Sequence, residues 1–294
     1  MKGVILTAGA ATRLRPITNT YGKVLVPIYN KPMIFYGISL MIKCGIKDIC
    51  LVCNKSDIGL YQHLFSNIFS DCGVNIGLVI QEQALGTANA VKYAKNFVGD
   101  DDFVLLFGDN IFVMDGMEQV LADAIKNNTG LTMFAKAVED PERFGVIEYD
   151  ENFNVTKMEE KPANPKTNIA STGLYVYSNE AMKQIDDIKL SPRGEYEMTD
   201  IISDYVNNKK AKVKIFDASC HWLDTGTFDA LLECSQLVCE FEKQHGLFAC
   251  LELDLLKQGF INKEKFEELI KKYSADYKQK IYNTLSLWEQ KENN

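Results

Sequence analysis

A chain of 294 residues with 46% hydrophobic content has apolar mass for one large domain or two modest ones, and its eight cysteines are too sparse for a disulfide framework. A net charge of −8 excludes the broad positive field that a nucleic acid or an anionic membrane surface requires. No apolar run approaches the roughly 20 residues of a bilayer span and Lys2 to Thr7 reads as a strand without a charged and apolar leader before it, so the expectation is a soluble cytoplasmic protein with reduced thiols.

Taken in chain order, the first half alternates short apolar runs with helical patterns. KGVILT (2–7), DICLVC (48–53), NIGLVI (75–80) and FVLLF (103–107) read as strands. MIFYGISLMIKC (33–44), IGLYQHLFSNIF (58–69), GTANAVKYAKNF (86–97) and MEQVLADAIKNN (117–128) read as helices. Parallel neighbours need a crossover, and runs this apolar are covered on both faces, so the rhythm predicts an α/β fold with a doubly wound, mostly parallel sheet. Ligands in such sheets sit beyond the carboxyl ends of the strands. Two of those ends carry polar or flexible residues, TAGAATR after the first strand and Gly108 to Asn110 after FVLLF. Cys50 and Cys53 form a CxxC, but three positions apart on a strand they face opposite ways, which favours a structural role over a shared metal.

After about residue 130 the pattern turns strand-rich, with LTMFAKAV, FGVIEYD, VTKMEEK and TGLYVYS separated by ERFG, PANPK and SPRGE, so the sheet is expected to become mixed. Apolar residues at 198, 201, 202, 205 and 206 have helical spacing, and KVKIF follows as a strand. From Thr227 helix dominates: positions 231, 232, 237, 238 and 241 are apolar, and KEKFEELIKKY buries Phe266, Leu269 and Ile270. The expected division is 1–226, with parts of about 1–130 and 131–226, followed by an appended helical region over 227–294.

The small residues of TAGAATRLRP let backbone N–H groups approach an anion, and Arg13 supplies a planar fork of donors suited to phosphate oxygens. Taken alone the stretch is neither a Walker pattern nor GxGxxG, and an ordinary tight strand exit fits as well. Lys23 fits a solvated strand edge, Asp109 a helix cap or turn, Asp224 in DTG a turn, and EEK a solvated edge.

TAGAATRLRPIT, GKVLVPIYNKPMI, GDNIF, PERFGVIEYD, EEKP, TGLYVY, PRGEYEMTDI and WLDTGTFDALLE, in this order and spacing, resemble the sugar-phosphate nucleotidyltransferases over almost the whole chain. The helical end with EFEKQHGLFACLE is similar to the short-form thymidylyltransferase branch. The resemblance implies attack of a sugar 1-phosphate oxygen on the α-phosphorus of a nucleoside triphosphate, with pyrophosphate leaving. Two polyanions must meet, so the chemical demand is charge neutralisation and in-line positioning, with no protein nucleophile. The implied reaction joins dTTP to glucose 1-phosphate; UTP, or another triphosphate or sugar phosphate, stays open because ALGTA at 84–88 resembles the uridylyltransferase form of its loop. A nucleotide-sugar-binding regulatory protein without turnover is the rival of another class. A dinucleotide-dependent oxidoreductase fails on the missing GxGxxG.

Carried over by position, Leu6, Ala8, Gly9, Thr12 and Arg13 would hold the triphosphate, Lys23 would stand near the α-phosphate, and Gln81 and Gly86 would meet the base. Phe144, Gly145, Glu160, Lys161, Ser171, Thr172, Gly173 and Arg193 would hold the sugar phosphate. Asp109 and Asp224 match the family's magnesium pair, and Arg13, Lys23 and Asp109 its catalytic set. Residues 1–226 would then be the catalytic unit, with 227–294 serving assembly into a homo-oligomer, tetramer or dimer, or regulation. Two departures stand out. Ala11 replaces the family's usual glycine, so the loop is expected to differ there or to carry a negative φ, and Phe144 replaces a frequent tyrosine.

Overall fold

The computed structural model describes residues 1–66 and 68–292. The helix expected over 58–69 and the region expected to reach 294 therefore include Asn67, Asn293 and Asn294, which lie outside the described residues. Strand β1 (Lys2–Leu6) is followed by a small hairpin, β2 (Pro27–Ile28) and β3 (Lys31–Pro32), and by helix α1 (Ile34–Lys43). Next come β4 (Asp48–Cys53), α2 (Ile58–Phe65), β5 (Asn75–Ile80), α3 (Thr87–Tyr93), α4 (Lys95–Val98), β6 (Phe103–Phe107), β7 (Asn110–Val113) and α5 (Met117–Asn127). The middle of the chain forms β8 (Leu131–Ala137), β9 (Gly145–Tyr149), β10 (Val155–Glu160), β11 (Ile169–Tyr177), α6 (Glu180–Gln184), α7 (Met198–Asn207), β12 (Ala211–Phe216) and β13 (His221–Asp224). It ends in α8 (Phe228–His245), α9 (Leu251–Lys257), α10 (Lys263–Ile270) and α11 (Ala275–Glu292).

The central sheet runs β10-β9-β11-β6-β1-β4-β5, with β8 joined to β11 and β12 joined in turn to β8. β6, β1, β4 and β5 are parallel neighbours, as the βαβ rhythm requires, and β11 is antiparallel to β6, β8 and β9. The sheet is thus mixed after residue 130, as the strand-rich second half predicts. Apolar runs in β1, β4 and β6 feed two cores, one on each face: Ile5, Leu51, Cys53 and Leu106 on one side, Val4, Val52, Cys50 and Leu105 on the other. Cys50 and Cys53 fall on opposite faces, as the two-residue strand period dictates.

α1 is buried at every position from Ile34 to Ile42, because its outer side is covered by α9. That covering continues the core of the first face through Leu231, Leu253, Phe266 and Ile281, so the C-terminal helices pack on the parallel sheet's own helices. Thr227 starts α8 by accepting from the Ala230 N–H at 3.2 Å, and Asn262 starts α10 by accepting from Lys265 at 2.9 Å. A buried ion pair, Lys31 Nζ to Glu242 Oε1 at 2.6 Å, fastens α8 to the β2–β3 hairpin. Three features differ from the sequence expectation. The helix expected over 86–97 breaks at Ala94 into α3 and α4, and β7 and β13, two strands the sequence pattern did not predict, pair with each other beside the GDN and DTG motifs. Among the described residues no helix is long and apolar enough to cross a membrane.

Candidate active site

β1 and β6 are parallel neighbours with Leu6 opposite Phe107, so the two chain segments leave the same edge of the sheet side by side. Gly108 makes the second exit fit: a Cβ there would lie 2.8 Å from the Leu6 carbonyl oxygen. On the other exit Gly9 is held by Asn54, whose Oδ1 accepts from the Gly9 N–H at 3.2 Å. The loop then turns at Ala11, whose φ of 41° and ψ of 44° are left-handed, and enters the 3-10 turn Thr12–Leu14. The expectation of a negative φ at Ala11 is therefore overturned: the loop keeps the glycine geometry, and the methyl group is accommodated at the cost of local strain.

Lys23 starts a further 3-10 turn, Lys23–Leu25, and its Nζ donates to Asp109 Oδ2 at 2.6 Å. β7 and β13 are antiparallel with Asn110 opposite Asp224, so this short pairing draws Asp224 to Asp109 across 115 positions of chain. Burial raises the Asp224 pKa; Arg143, Lys23 and Arg13 oppose the rise, and the Asp109 charge adds to it. Arg13 closes the group over the DTG turn, where a Cβ on Gly226 would come within 2.7 Å of Arg13 Nη2. The result is two carboxylates and two cations at one point of the sheet edge.

Two cavities meet at that point. The first, about 350 Å³, is lined by Leu6, Ala8, Gly9 and Lys23 on one side and by Gln81 and Gly86 on the other. Gly86 has φ 109°, and a Cβ would lie 2.5 Å from the Tyr196 carbonyl oxygen, so only glycine lets this loop lie against the segment before α7. Gln81 spends one side-chain amide N–H on the Gln83 carbonyl at 3.1 Å, which leaves its second N–H and its carbonyl oxygen for a ligand in the cavity it lines. The second cavity, about 560 Å³, is lined by Phe144, Gly145, Glu160, Lys161 and the Ser171 to Gly173 bulge of β11. Arg13, Phe107 and Asp109 line both.

Most of the sequence-predicted residues thus converge on one cleft, with qualifications of detail. Thr12 lies exposed at the start of its turn and lines neither cavity. Arg193 likewise lines neither cavity and reaches the second only through Glu160, with Nη1 3.8 Å from Glu160 Oε1. Thr172 donates its hydroxyl to the Phe134 carbonyl at 2.9 Å, and the Ser171 and Tyr175 hydroxyls bond each other at 2.6 Å, so these side chains shape the wall more than they offer free donors. Burial raises the Glu160 pKa, against the pull of Lys161 and Arg193 and with the push of Glu197. Arg143, Trp222 and Gly226 were not singled out from the sequence, although each stands inside a motif that was, PERFG or WLDTG, whereas Asn110 closes the Gly108 to Asn110 strand exit already read as a ligand edge.

The donor set of the junction suits a divalent metal. Asp109 and Asp224 bring hard carboxylate oxygens to one cleft, and each is balanced by a basic side chain, Lys23 or Arg143. Among the described residues no cluster of three or more His, Cys, Asp or Glu is placed to hold a metal, so an ion at this pair would complete its shell with phosphate and water oxygens.

The family model described as nucleotidyl transferase matches residues 2–240. The chain belongs to that family. A glucose-1-phosphate thymidylyltransferase of Neisseria meningitidis is 40% identical over 270 residues, covering 92% of this chain and 93% of the relative. A second thymidylyltransferase of the same description, from Mycolicibacterium smegmatis, is 35% identical over 282 residues, covering 94% of this chain and 97% of the relative. Among solved structures, a Bacillus anthracis chain in complex with sucrose has a TM-score of 0.70 at 34% identity, covering 81% of this chain and 94% of that one. UDP-glucose pyrophosphorylase complexed with UDP-glucose has a TM-score of 0.71 at 20% identity, covering 83% of this chain and 99% of that one, a likeness of fold. This nucleotidyltransferase is accordingly an enzyme of nucleotidyl transfer, a reaction class that works with a divalent metal ion.

Proposed function

We propose that the enzyme transfers a thymidylyl group from dTTP to glucose 1-phosphate, giving dTDP-glucose and pyrophosphate. The observation that carries this reading is the convergence of Arg13, Lys23, Asp109 and Asp224 where two cavities of suitable size meet. The first cavity would take the triphosphate, with Leu6, Ala8 and Gly9 along it, Gln81 and Gly86 at the base, and Arg13 on the phosphates. The second would take the sugar phosphate. There Glu160 accepts from sugar hydroxyls, Lys161 and Arg193 supply counter-charge, and Phe144, Gly145 and the Ser171 to Gly173 bulge set the shape.

Lys23 would stand beside the α-phosphate as its charge grows in the transition state, moving from Asp109 as the phosphate arrives. The metal is proposed to be Mg²⁺ on Asp109 and Asp224; when bound it neutralises phosphate charge and orients the reacting oxygens. Residues 1–130 are assigned to the nucleotide, 131–226 to the sugar phosphate and 227–294 to assembly or regulation. A homo-oligomer, tetramer or dimer, is supported by Phe228 and Leu232, 47% and 61% exposed on α8. A cytoplasmic setting is supported by eight unpaired cysteines.

Pyrophosphate release from a panel of dTTP, UTP and CTP with glucose 1-phosphate and related sugar 1-phosphates tests the reading. dTTP with glucose 1-phosphate is expected to lead. The ALGTA loop favours UTP as the second substrate, and a single methyl separates the two bases, so their kcat/KM values are expected to differ by about 10- to 200-fold at most. Absence of pyrophosphate with every pair would leave a binding protein.

A further inference from the structure

Of the cations that face the cleft, Arg143 has no task in the reading above. It ends the short turn Pro141–Arg143 that leads into β9, and it lines the second cavity. Its Nη1 is held by the Asp140 carboxylate, while Nη2 reaches only to 3.7 Å from Asp224 Oδ2. The guanidinium lies over the Phe144 ring, 5.3 Å from its centroid, and that ring packs on Trp222 with centroids 5.1 Å apart. Trp222 Nε1 donates to Asn110 Oδ1 at 2.7 Å, and Asn110 Nδ2 donates to Asp109 Oδ1 at 3.0 Å. These contacts form a connected path from one carboxylate of the pair to the other. Its final step, Arg143 to Asp224, is a loose ion pair and not a hydrogen bond.

Asp224 therefore faces two claimants. A divalent cation binding a carboxylate directly approaches to about 2.0–2.1 Å with twice the charge, so it outcompetes a guanidinium at a distance beyond hydrogen bonding. Displaced, Arg143 stays tethered by Asp140 and by the Phe144 face. Its Nη2 donors are then released to an anion in the second cavity, where Arg13 and Lys161 are the other cations in the lining.

We propose that Arg143 is a displaceable counter-ion, which neutralises Asp224 while the metal is absent and is passed to the sugar phosphate when the metal binds. Metal and sugar phosphate then each favour the arrangement the other needs, which makes their binding mutually reinforcing. The inference rests on the two-carboxylate reading of the metal site.

The test uses the full chain without nucleotide, Mn²⁺ as the metal probe followed by the paramagnetic signal of the free ion, and glucose 1-phosphate as the anion. In Arg143→Ala, Mn²⁺ is expected to bind about two- to fivefold more tightly, the range for a half-exposed ion pair. Glucose 1-phosphate is expected to bind more weakly in the presence of Mn²⁺, and the factor by which Mn²⁺ tightens its binding to fall. A residue that only props the turn would move both affinities down together. Mn²⁺ affinity that is unchanged or weaker in Arg143→Ala, or a coupling factor equal to that of the unaltered protein, overturns the inference. Arg143→Lys keeps the charge and is expected to restore most of the coupling; behaviour like that of the alanine variant also counts against it. Asp224→Asn, measured alongside, separates the two levels. Mn²⁺ binding that survives there refutes the carboxylate pair itself, whereas binding lost there but unaltered in Arg143→Ala refutes only the role of Arg143.

Discussion

Ala11→Gly isolates the one left-handed non-glycine position in the loop that follows β1. Ala11 holds φ 41° and ψ 44° at the entry to the Thr12–Leu14 turn, and its carbonyl is pinned by the Thr18 hydroxyl at 2.9 Å. A Cβ in the left-handed region costs about 1–2 kcal/mol. Replacing it by glycine removes that strain but enlarges the freedom of the unfolded chain, which costs about 0.4–1 kcal/mol. The net expectation is a gain of about 0.5–1 kcal/mol, a rise of roughly 1–4 °C in melting temperature for a chain of this size.

The same geometry predicts what does not change. A turn that is left-handed in the free and the bound protein alike carries the same strain in both, so triphosphate affinity measured by calorimetry should stay within about twofold, less than 0.5 kcal/mol. Ala11→Val, with a branched Cβ at the same φ, should lose stability by about 1 kcal/mol or more. A glycine variant no more stable than the parent would refute the strain. One that binds triphosphate several-fold tighter would show that the left-handed turn is reached only on binding.

Asp109→Asn and Asp224→Asn should each fold normally, by circular dichroism and melting, yet lose at least about a hundredfold in kcat, as removal of a metal ligand worth several kcal/mol requires. Full turnover in either variant would remove it from the site. Gly226→Ala pushes a methyl to 2.7 Å from Arg13 Nη2, the far end of a flexible side chain, and to 3.1 Å from the Asp224 carbonyl oxygen, which must give by a few tenths of an ångström, so the fold should hold while kcat/KM for the triphosphate drops about tenfold, the lower range for a charge-assisted hydrogen bond. Asp254, fully buried between α9 and α1, accepts from Ser39 at 2.7 Å on one oxygen, and its other oxygen has Lys43 at 3.9 Å and no hydrogen-bond partner among the described residues; burial, with a smaller push from Glu118 and Glu252, raises its pKa from 3.8 to about 6. The folded state then holds the extra proton between about pH 4 and 6, so stability falls as pH rises through that window, by about 3 kcal/mol at neutral pH. Asp254→Asn should flatten this slope in denaturant titrations and be the more stable form at pH 7 but not at pH 4; parallel curves would refute the buried charge.

What could be read from the chain before its fold divides along physical lines. β1, β4 and β6 announce themselves because strands covered on both faces must be apolar throughout, and the ligand edge follows from their parallel order. β7 and β13 do not announce themselves. Each is four residues long, and their GDN and DTG ends have the composition of turns. Yet their pairing alone brings Asp224 to Asp109, through contacts between segments more than a hundred positions apart that no local pattern encodes. α9 is hidden for the opposite reason, since Glu252 and Asp254 give a solvated look to a helix that is almost wholly buried. The cations show the same limit. Arg13 and Lys23 stand out beside apolar runs, whereas Arg143 in PERFG resembles any surface turn until Phe144, Trp222 and Asn110 connect it to the carboxylates. The metal pair and the charges that would compete for it are therefore properties of the strand pairing, and a single substitution that slips β13 by one residue would turn Asp224 to the other face and dissolve both at once.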